Sequence, residues 1–303
     1  MILSRIKLSA IVPIRGMENN LHNLEHTLKH ASVMGIEIVL IHDDAGDGTS
    51  RELNKLVDKY QNGSISFFES QVNSPGLARN IGIELARGEW ICFWDSDDLP
   101  IPDAYLKMIA EAEKRNAEIA IGRLESISHS FENVQSSSLN YSRDFDYILN
   151  FANMPSFTRM AFRQHLVKDI HFPAFRMGED QCFIRDSNFL NHPIFVSDET
   201  CYRYFTDEPG QLTRDPSALK ELTRTVDYLA SQLCLATGPM KFFSQAQFLK
   251  LFVSGLRNSG RIKWLLESPL TWIRAMKFVF GNPLKAWKIM AFLASNRIKL
   301  AGR

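Results

Sequence analysis

The sequence predicts an α/β fold in which a mostly parallel sheet is flanked by helices and followed by a helical C-terminal region. Over residues 8–98, short apolar segments alternate with segments of helical periodicity, which is the pattern of strand–helix–strand units. The helix between two strands returns the chain to the same end of the sheet, so the strands are parallel, and such crossovers are right-handed. Beyond about Gln211 the alternation stops and only helical periodicity remains, which predicts the C-terminal helices.

The first part of the predicted sheet has three strands, each followed by an amphipathic helix. The strands cover Leu8–Ile14, Ile36–Ile41 and Ile65–Phe68. Apolar residues recur at helical spacing in the three helices, with Leu21, Leu24, Leu28 and Ala31 in the first, Leu53, Leu56, Val57 and Tyr60 in the second, and Leu77, Ile81 and Leu85 in the third. Gly35 and Gly88 end the first and third helices.

The fourth strand, Trp90–Trp94, runs directly into Asp95-Ser96-Asp97-Asp98. Pro100 and Pro102 follow, and we expect them to end the strand because proline cannot donate to a ladder. Three carboxylates at the end of a buried strand repel one another unless a positive charge neutralises them. Carboxylate oxygens suit Mg²⁺ or Mn²⁺, which share few protein ligands with substrate phosphates. The alternative is a solvated acidic loop after an edge strand.

Polar segments follow every strand of the predicted parallel sheet. They are Pro13-Ile14-Arg15, Asp43-Asp44, Asn73–Arg79 and Asp95–Asp98. Ligands of such sheets bind beyond the carboxyl ends of the strands, so this convergence predicts a nucleotide-type site along one rim. The glycine signatures of dinucleotide-binding and P-loop proteins are absent from the sequence. Diphosphate charge would therefore be met by a metal ion on the carboxylates and by Arg79.

Composition favours a globular protein in a reducing compartment. The 303 residues are 45% hydrophobic and 23% charged, and the four cysteines show no metal-binding spacing. The start of the sequence has no features of a signal peptide, and no run of about 18 uncharged apolar residues exists. We therefore expect a cytoplasmic protein, either free or peripheral on the inner face of the cytoplasmic membrane.

The net charge of +1 hides an uneven distribution. From Gln211 onward there are 15 Lys and Arg against 4 Asp and Glu, whereas the preceding residues have 20 against 30. Basic helices with Trp and Phe on the opposite face are typical of interfacial membrane binders, so membrane-surface association is expected through the C-terminal helices. The alternative is a helical cap that packs on the α/β domain. A basic tail with aromatics would also suit nucleic acid, but no nucleic-acid partner is expected.

Five motifs stand in order along the chain: AIVPI at Ala10–Ile14, DDAGDGT at Asp43–Thr49, PGLARN at Pro75–Asn80, GEWICFWDSDD at Gly88–Asp98 and GEDQCF at Gly178–Phe183. Together they resemble the family 2 glycosyltransferases of bacterial polysaccharide and lipid-linked glycan synthesis. The resemblance covers roughly residues 7–214 and implies a Rossmann-like, glycosyltransferase A-type fold. It divides the chain into a catalytic domain at 1–214, with a nucleotide-binding half to about 100 and an acceptor half at about 101–214, and a helical region at 215–303.

The resemblance implies roles for the rim residues. Asp97 is the metal ligand of the DXD motif, and Asp95 shares the ion or faces the ribose beside Ser96. Asp43 accepts from the base edge; its neighbour Asp44 contacts the nucleotide or stabilises the turn. Pro13, Ile14 and Arg15 line the nucleotide. Arg79 contacts phosphate or base, or alternatively forms an ion pair with Asp43 or Asp95.

The resemblance also implies an acceptor side. It assigns Asp180 as the general base of an inverting transfer, with Glu179 beside it, whereas an acidic pair at a helix start is by itself more often a cap. Tyr202 and Tyr204 are candidate platforms for acceptor sugars. The expected activity is transfer from a nucleotide sugar, a UDP-sugar, to a hydroxyl of a glycan or lipid-linked acceptor with Mn²⁺ or Mg²⁺. The alternative is a non-catalytic nucleotide-binding subunit of a glycan-assembly complex.

Overall fold

The structure, a computed structural model, describes residues 5–16, 21–44, 48–60, 64–127, 135–136, 152, 156–206, 216–258 and 267–291. Within these ranges the strands are β1 Leu8–Ile14, β2 Glu37–Asp43, β3 Ile65–Ser70, β4 Trp90–Phe93, β5 Leu99–Pro100, β6 Ile119–Ile127, β7 Gln135–Ser136, β8 Met160–Arg163 and β9 Ile194–Phe205. The helices are α1 His22–Val33, α2 Thr49–Lys59, α3 Pro75–Leu85, α4 Pro102–Lys114, α5 Gln164–Val167, α6 Glu179–Asp186, α7 Pro216–Gln232, α8 Gly238–Asn258, α9 Pro269–Gly281 and α10 at 283–291.

The nine described strands form one sheet in the order β3-β2-β1-β4-β8-β6-β9-β5, with β7 paired to β6. The pairs β2–β3, β1–β2 and β1–β4 are parallel, as the alternation of strands and helices predicts. Beyond β4 the sheet is mixed, because β8 runs antiparallel between β4 and β6. The predicted α/β class is confirmed.

The short strand β5 corrects one expectation. Pro100 was expected to be unable to continue a ladder, yet Leu99 and Pro100 pair antiparallel with Arg203 and Tyr202 of β9. β5 is the last strand in the order and therefore lies at an edge. Proline is tolerated there because an edge strand does not need every N–H in the ladder.

The two faces of β1 pack against different helices. Leu8, Ala10, Val12 and Ile14 alternate along the strand and belong to the core that includes the buried residues of α1, α2 and α4. Ile11, on the opposite face, lies against Gly82 of α3. The period of two that separates the faces of a strand therefore places helices on both sides of the sheet.

The described residues form two compact units. The first contains the sheet and α1–α5. The second contains α6 together with α7, α8 and α9, which pack through an apolar cluster that includes Cys182, Val226, Phe248, Phe252 and Ala275. The predicted helical periodicity after Gln211 is thus present in α7–α10; a domain boundary at 214 stays a prediction. None of the helices in the described ranges has the length and apolarity needed to cross a bilayer.

Candidate active site

The end of β2 is held by the loop that leads into α3. Asp43, the last residue of β2, is buried, and its two carboxylate oxygens accept hydrogen bonds from the backbone N–H groups of Asn73 and Ser74, each at 2.9 Å. These bonds fix the loop against the strand end. The carboxylate still has lone pairs for a nucleobase, so the base-contact role of Asp43 stays a prediction.

The end of β1 lies beside the same loop. Pro13 and Ile14 pair with Ile41 and His42 of β2, which brings the following residue, Arg15, to the loop. The Arg15 guanidinium donates to Asn73 Oδ1 at 3.0 Å and lies 3.7 Å from the Asp44 carboxylate. The structure therefore brings together the polar groups predicted at the ends of β1 and β2. Residues 45–47 of the DDAGDGT motif lie outside the described ranges.

Arg79, in the first half of α3, contacts the acidic residues Asp95–Asp98 that follow β4. Its Nη2 lies 2.7 Å from Asp95 Oδ1, and its side chain is only 5% exposed. The guanidinium stacks on two rings, 4.8 Å from the centroid of Phe157 and 5.6 Å from that of Phe172. The ion pair with Asp95, one of the alternatives left open by the sequence, is present in the structure. The contact of Arg79 with phosphate or base stays a prediction.

Asn80, next in the PGLARN motif, positions one of these rings. Its side-chain amide donates to the Phe172 carbonyl at 2.9 Å and accepts from the Phe172 N–H at 2.8 Å. This two-way amide contact holds Phe172 where its ring meets Arg79. No role for Asn80 follows from the sequence, because its partner lies 92 residues away along the chain.

The three aspartates after β4 have different environments. Asp98 is 1% exposed and accepts hydrogen bonds from the Tyr202 hydroxyl at 2.8 Å and the Phe205 N–H at 2.9 Å. Burial raises the pKa of the Asp98 carboxyl well above its usual range, and the charges of Asp97 and Asp95 raise it further. Asp98 therefore serves to hold the loop onto β9.

Asp95 and Asp97 remain partly exposed. The Asp97 backbone carbonyl accepts from Asn23 Nδ2 at 2.7 Å, which fixes the loop, and Ser96 between them is buried. Within the described residues no group of three or more His, Cys, Asp or Glu side chains is arranged to hold a metal ion. Two carboxylates would suit an ion that takes its other ligands from water and substrate phosphates.

Tyr202 corrects the acceptor-side prediction. The residue is fully buried, its hydroxyl donates to Asp98, and the same oxygen accepts from the Asp95 N–H at 3.0 Å. A ring with no exposed surface has no face on which a sugar could stack. Tyr204 is half-buried and packs against the core of the first unit, so its predicted stacking role stays a prediction.

In the second unit, Glu179 and Asp180 form the first turn of α6. The cap residue is Gly178, which has a left-handed φ of 81° and no side chain to cap with. A Cβ at Gly178 would lie 2.8 Å from Thr225 of α7, so the close approach also requires glycine. Glu179 is buried and Asp180 is partly exposed. Neither carboxylate belongs to the cap residue, and their place in the first turn complements the helix dipole.

A comparison with protein families identifies the chain. The profile described as glycosyl transferase family 2 matches residues 9–180, which is more than half of the sequence. The chain belongs to glycosyl transferase family 2. The family is described by sugar transfer, and the two relatives below are named as glycosyltransferases.

The curated relatives of this family 2 protein include two that act on poly(ribitol phosphate). The chain is 27% identical over 214 residues to the poly(ribitol-phosphate) beta-glucosyltransferase of Bacillus spizizenii, covering 68% of this chain and 33% of the relative. It is 25% identical over 287 residues to the beta-N-acetylglucosaminyltransferase TarS of Staphylococcus aureus, covering 89% and 48%. The chain thus spans between a third and a half of the length of these relatives.

Solved structures share the fold of this family 2 member. A crystal structure of S. aureus TarS in complex with UDP superposes with a TM-score of 0.62 at 21% identity, over 86% of this chain and 74% of that one. The complex of TarS with UDP-GlcNAc gives 0.61 at 19% identity, over 95% and 80%. At this identity the likeness shows the fold, and the predicted glycosyltransferase A-type architecture is confirmed.

Proposed function

We propose that this family 2 protein is a glycosyltransferase that moves a sugar, with inversion, from a UDP-sugar to a hydroxyl of a glycan or lipid-linked acceptor. The observation that carries the proposal is the difference among the three aspartates after β4. Asp98 is buried by its bonds to β9, whereas Asp95 and Asp97 keep partly exposed carboxylates at the strand end. Sheets of this kind bind ligands at that end, and the TarS complexes with UDP and UDP-GlcNAc motivate uridine as the base.

Asp95 and Asp97 would hold Mn²⁺ or Mg²⁺ in this proposal. Bound there, the ion would supply positive charge to the diphosphate as it leaves the sugar. Arg79 keeps the Asp95 carboxylate in place through its ion pair. Asn73, Arg15 and Asp44 offer hydrogen-bond groups to the base and ribose at the neighbouring strand ends.

Asp180 is the general base of the proposal. In an inverting transfer the acceptor oxygen bonds to the anomeric carbon while the bond to the diphosphate breaks, and the hydroxyl proton passes to a carboxylate. Asp180 is partly exposed in the first turn of α6, whereas its neighbour Glu179 is buried. This difference supports Asp180 over Glu179 as the group that meets an acceptor.

The donor half of the proposal is tested by calorimetry. UDP, GDP, UDP-glucose and UDP-GlcNAc are titrated with and without Mn²⁺ into wild type, Asp97→Ala and the control Asp103→Ala, whose carboxylate is exposed on α4. We expect Mn²⁺-dependent binding of uridine nucleotides to wild type and the control, with a loss of at least about tenfold in Asp97→Ala. Binding that ignores Mn²⁺ and the Asp97 substitution would overturn the metal assignment.

The acceptor half is tested with Asp180→Asn. We expect transfer to fall by about 10³-fold, the range of general base catalysis, while the affinity for the donor is unchanged. An α-linked donor should give a β-linked product, which the anomeric NMR coupling reports. Poly(ribitol phosphate) and other bacterial glycans serve as trial acceptors. Full activity in Asp180→Asn would refute the base assignment, and donor binding without any transfer would favour a non-catalytic subunit.

We also propose that α9 and α10 contact a membrane surface. Seven large apolar side chains are exposed on these two helices: Leu270, Ile273, Met276, Phe280, Leu284, Trp287 and Met290. Residues 268–291 carry four basic and no acidic side chains. Exposed apolar faces beside positive charge suit the surface of a bilayer with anionic lipids.

A further inference from the structure

A line of amide hydrogen bonds runs from the interior of the second unit to Asp180. Gln181 Nε2 donates to Asp180 Oδ2 at 2.8 Å. Gln247, on α8, donates from its Nε2 to the Gln181 side-chain oxygen at 3.2 Å and to the Gln181 backbone carbonyl at 3.0 Å. The three side chains therefore form a connected series that ends on the carboxylate.

The contact between Gln181 and Asp180 needs support, because neighbouring residues on a helix point about 100° apart and do not face each other. A glutamine side chain on the surface would have several rotamers of similar energy, and ordering it costs up to about 2 kcal/mol. The bond from Gln247 to the end of the Gln181 side chain supplies this support. It holds Gln181 on the side of the helix where Asp180 lies.

The polarity of the two bonds also fixes which end of the Gln181 amide meets the carboxylate. The Gln181 Oε1 accepts from Gln247, so the Nε2 of the same amide must point the other way. There it donates to Asp180. A reversed amide would place an acceptor against the carboxylate and a donor against the Gln247 N–H, which would lose both bonds. Gln247 thus selects the one amide orientation that binds Asp180.

Gln247 is fully buried, and it is followed on α8 by Phe248 and Leu251 of the apolar cluster. A buried amide is costly unless it is hydrogen-bonded, so its position in this helix requires a reason. The bond to the Gln181 backbone would by itself join α8 to α6. The second bond, to the Gln181 side chain, is not needed to hold the two helices together. It orients the Gln181 amide that donates to Asp180.

Lys250 lies one turn after Gln247 on the same helix and interacts electrostatically with Asp180. Residues three apart on a helix share a face, so the face of α8 that carries Gln247 also carries a basic side chain that interacts electrostatically with Asp180. The charge complements the negative oxygen that the amide chain orients.

We propose that Gln247, acting through Gln181, is a positioning residue that sets the orientation of the Asp180 carboxylate for proton transfer. The proposal rests on the role of Asp180 in the proposed function. One oxygen of the carboxylate is engaged by Gln181, and the lone pairs that remain on the carboxylate accept from the acceptor hydroxyl. Small errors in the placement of a base reduce the rate strongly, so this support should appear in turnover and not in donor binding.

The test compares Gln181→Met and Gln247→Met with the control Gln245→Met, which changes a glutamine on the same helix. Methionine keeps the length of the side chain and removes the N–H donor. Release of UDP from UDP-GlcNAc with water as acceptor is measured together with donor affinity and Tm. We expect turnover to fall about tenfold in the first two variants, with unchanged donor affinity and with Tm and turnover unchanged in the control.

The double variant Gln181→Met/Gln247→Met supplies a readout that a purely structural role would not give. If Gln247 acts through Gln181, the double variant should turn over no more slowly than Gln181→Met alone, whereas independent effects would multiply to about a hundredfold. Full turnover in both single variants, with Asp180→Asn inactive, would overturn the positioning role and leave the base assignment intact. Full turnover in Asp180→Asn would instead refute the proposed function.

Crystal structures of wild type and Gln247→Met test the positioning directly and do not depend on any activity. We expect the Asp180 carboxylate of wild type to be ordered against Gln181 Nε2, and in the variant to be disordered or rotated away. An Asp180 carboxylate with the same orientation in both structures would contradict the proposal.

Discussion

Arg79 is the residue on which the acidic loop depends for charge balance. It is almost fully buried between Phe157, Phe172 and the Asp95 carboxylate. Arg79→Met should lower the free energy of unfolding by about 3 kcal/mol, because Asp95 would lose its cation beside two other carboxylates. Urea denaturation measures the loss.

The control for this variant is Arg115→Met, which removes an exposed ion pair with Glu111. Such pairs contribute less than about 1 kcal/mol. If Asp95 and Asp97 hold Mn²⁺, adding it should raise the Tm of Arg79→Met more than that of wild type, because the ion would replace part of the missing charge. An equal rise in both proteins would contradict metal binding at this loop.

Burial of Lys250 should make the free energy of unfolding depend on pH. Burial lowers the pKa of Lys250 from 10.5 to about 8, and the nearby Asp180 charge opposes the shift. Between pH 8 and 10.5 the folded protein has released this proton and the unfolded chain still holds it, so the contribution of Lys250 to stability rises with pH across that window. Below pH 8 the full cost of burying the charge is present.

Lys250→Met should therefore raise the free energy of unfolding at pH 7 by up to about 3 kcal/mol. The advantage over wild type should shrink as the pH rises from 8 to 10.5. Chemical denaturation of wild type and Lys250→Met at pH 7, 8.5 and 9.5 measures the difference in free energy of unfolding. A difference that stays constant across this range would show that it does not arise from burial of the Lys250 charge.

The secondary-structure elements differ in how far the sequence predicts them. The apolar strand β4 and the helices α2 and α3 follow from local pattern. β5 could not be found this way, because a two-residue edge strand exists only through its pairing with β9. The burial of Asp98 has the same cause, since its partners Tyr202 and Phe205 come from that strand.

The contact between α3 and β1 is another feature that local pattern does not reveal. A Cβ on Gly82 would lie 2.3 Å from Ile11 Cγ2, whereas a Cβ on Gly281 of α9 would meet nothing within 4 Å. Gly82→Ala should destabilise the protein by about 1–3 kcal/mol, the usual cost of overpacking. Gly281→Ala is the matched control and should be neutral or slightly stabilising. Thermal denaturation compares the two, and equal Tm values would contradict the close approach.

Over the whole molecule, the parallel part of the sheet was predictable because each crossover is local in sequence. The antiparallel insertion of β8 between β4 and β6 was not, since β8 pairs with β4 residues about 70 positions away in the sequence. Similarly, the sequence places Asp180 at the start of a helix. It does not indicate that Gln181, the next residue, bonds to Gln247, which lies 66 residues further along the chain. Polar contacts between residues far apart in the chain produce no periodic pattern in the sequence.

The exposed apolar face of α9 and α10 gives a prediction for the whole protein on lipid. Phe280, Leu284 and Trp287 are 76%, 78% and 68% exposed. Replacing all three with Ser should leave Tm nearly unchanged, because exposed side chains contribute little to stability. Co-sedimentation with vesicles containing anionic phosphatidylglycerol should fall at least about tenfold, since buried apolar area drives interfacial binding. Equal sedimentation of variant and parent would refute membrane contact by this face.

The bond from Tyr202 to Asp98 has a consequence for the order of events during synthesis. The acidic loop leaves the ribosome about a hundred residues before its anchors Tyr202 and Phe205. A nascent chain that ends before β9 has the aspartates but lacks the strand that turns Asp98 inward, and domains generally fold as units. The loop therefore acquires its final geometry late, so the donor binding that we propose for it requires the finished sheet and is not expected of the growing polypeptide.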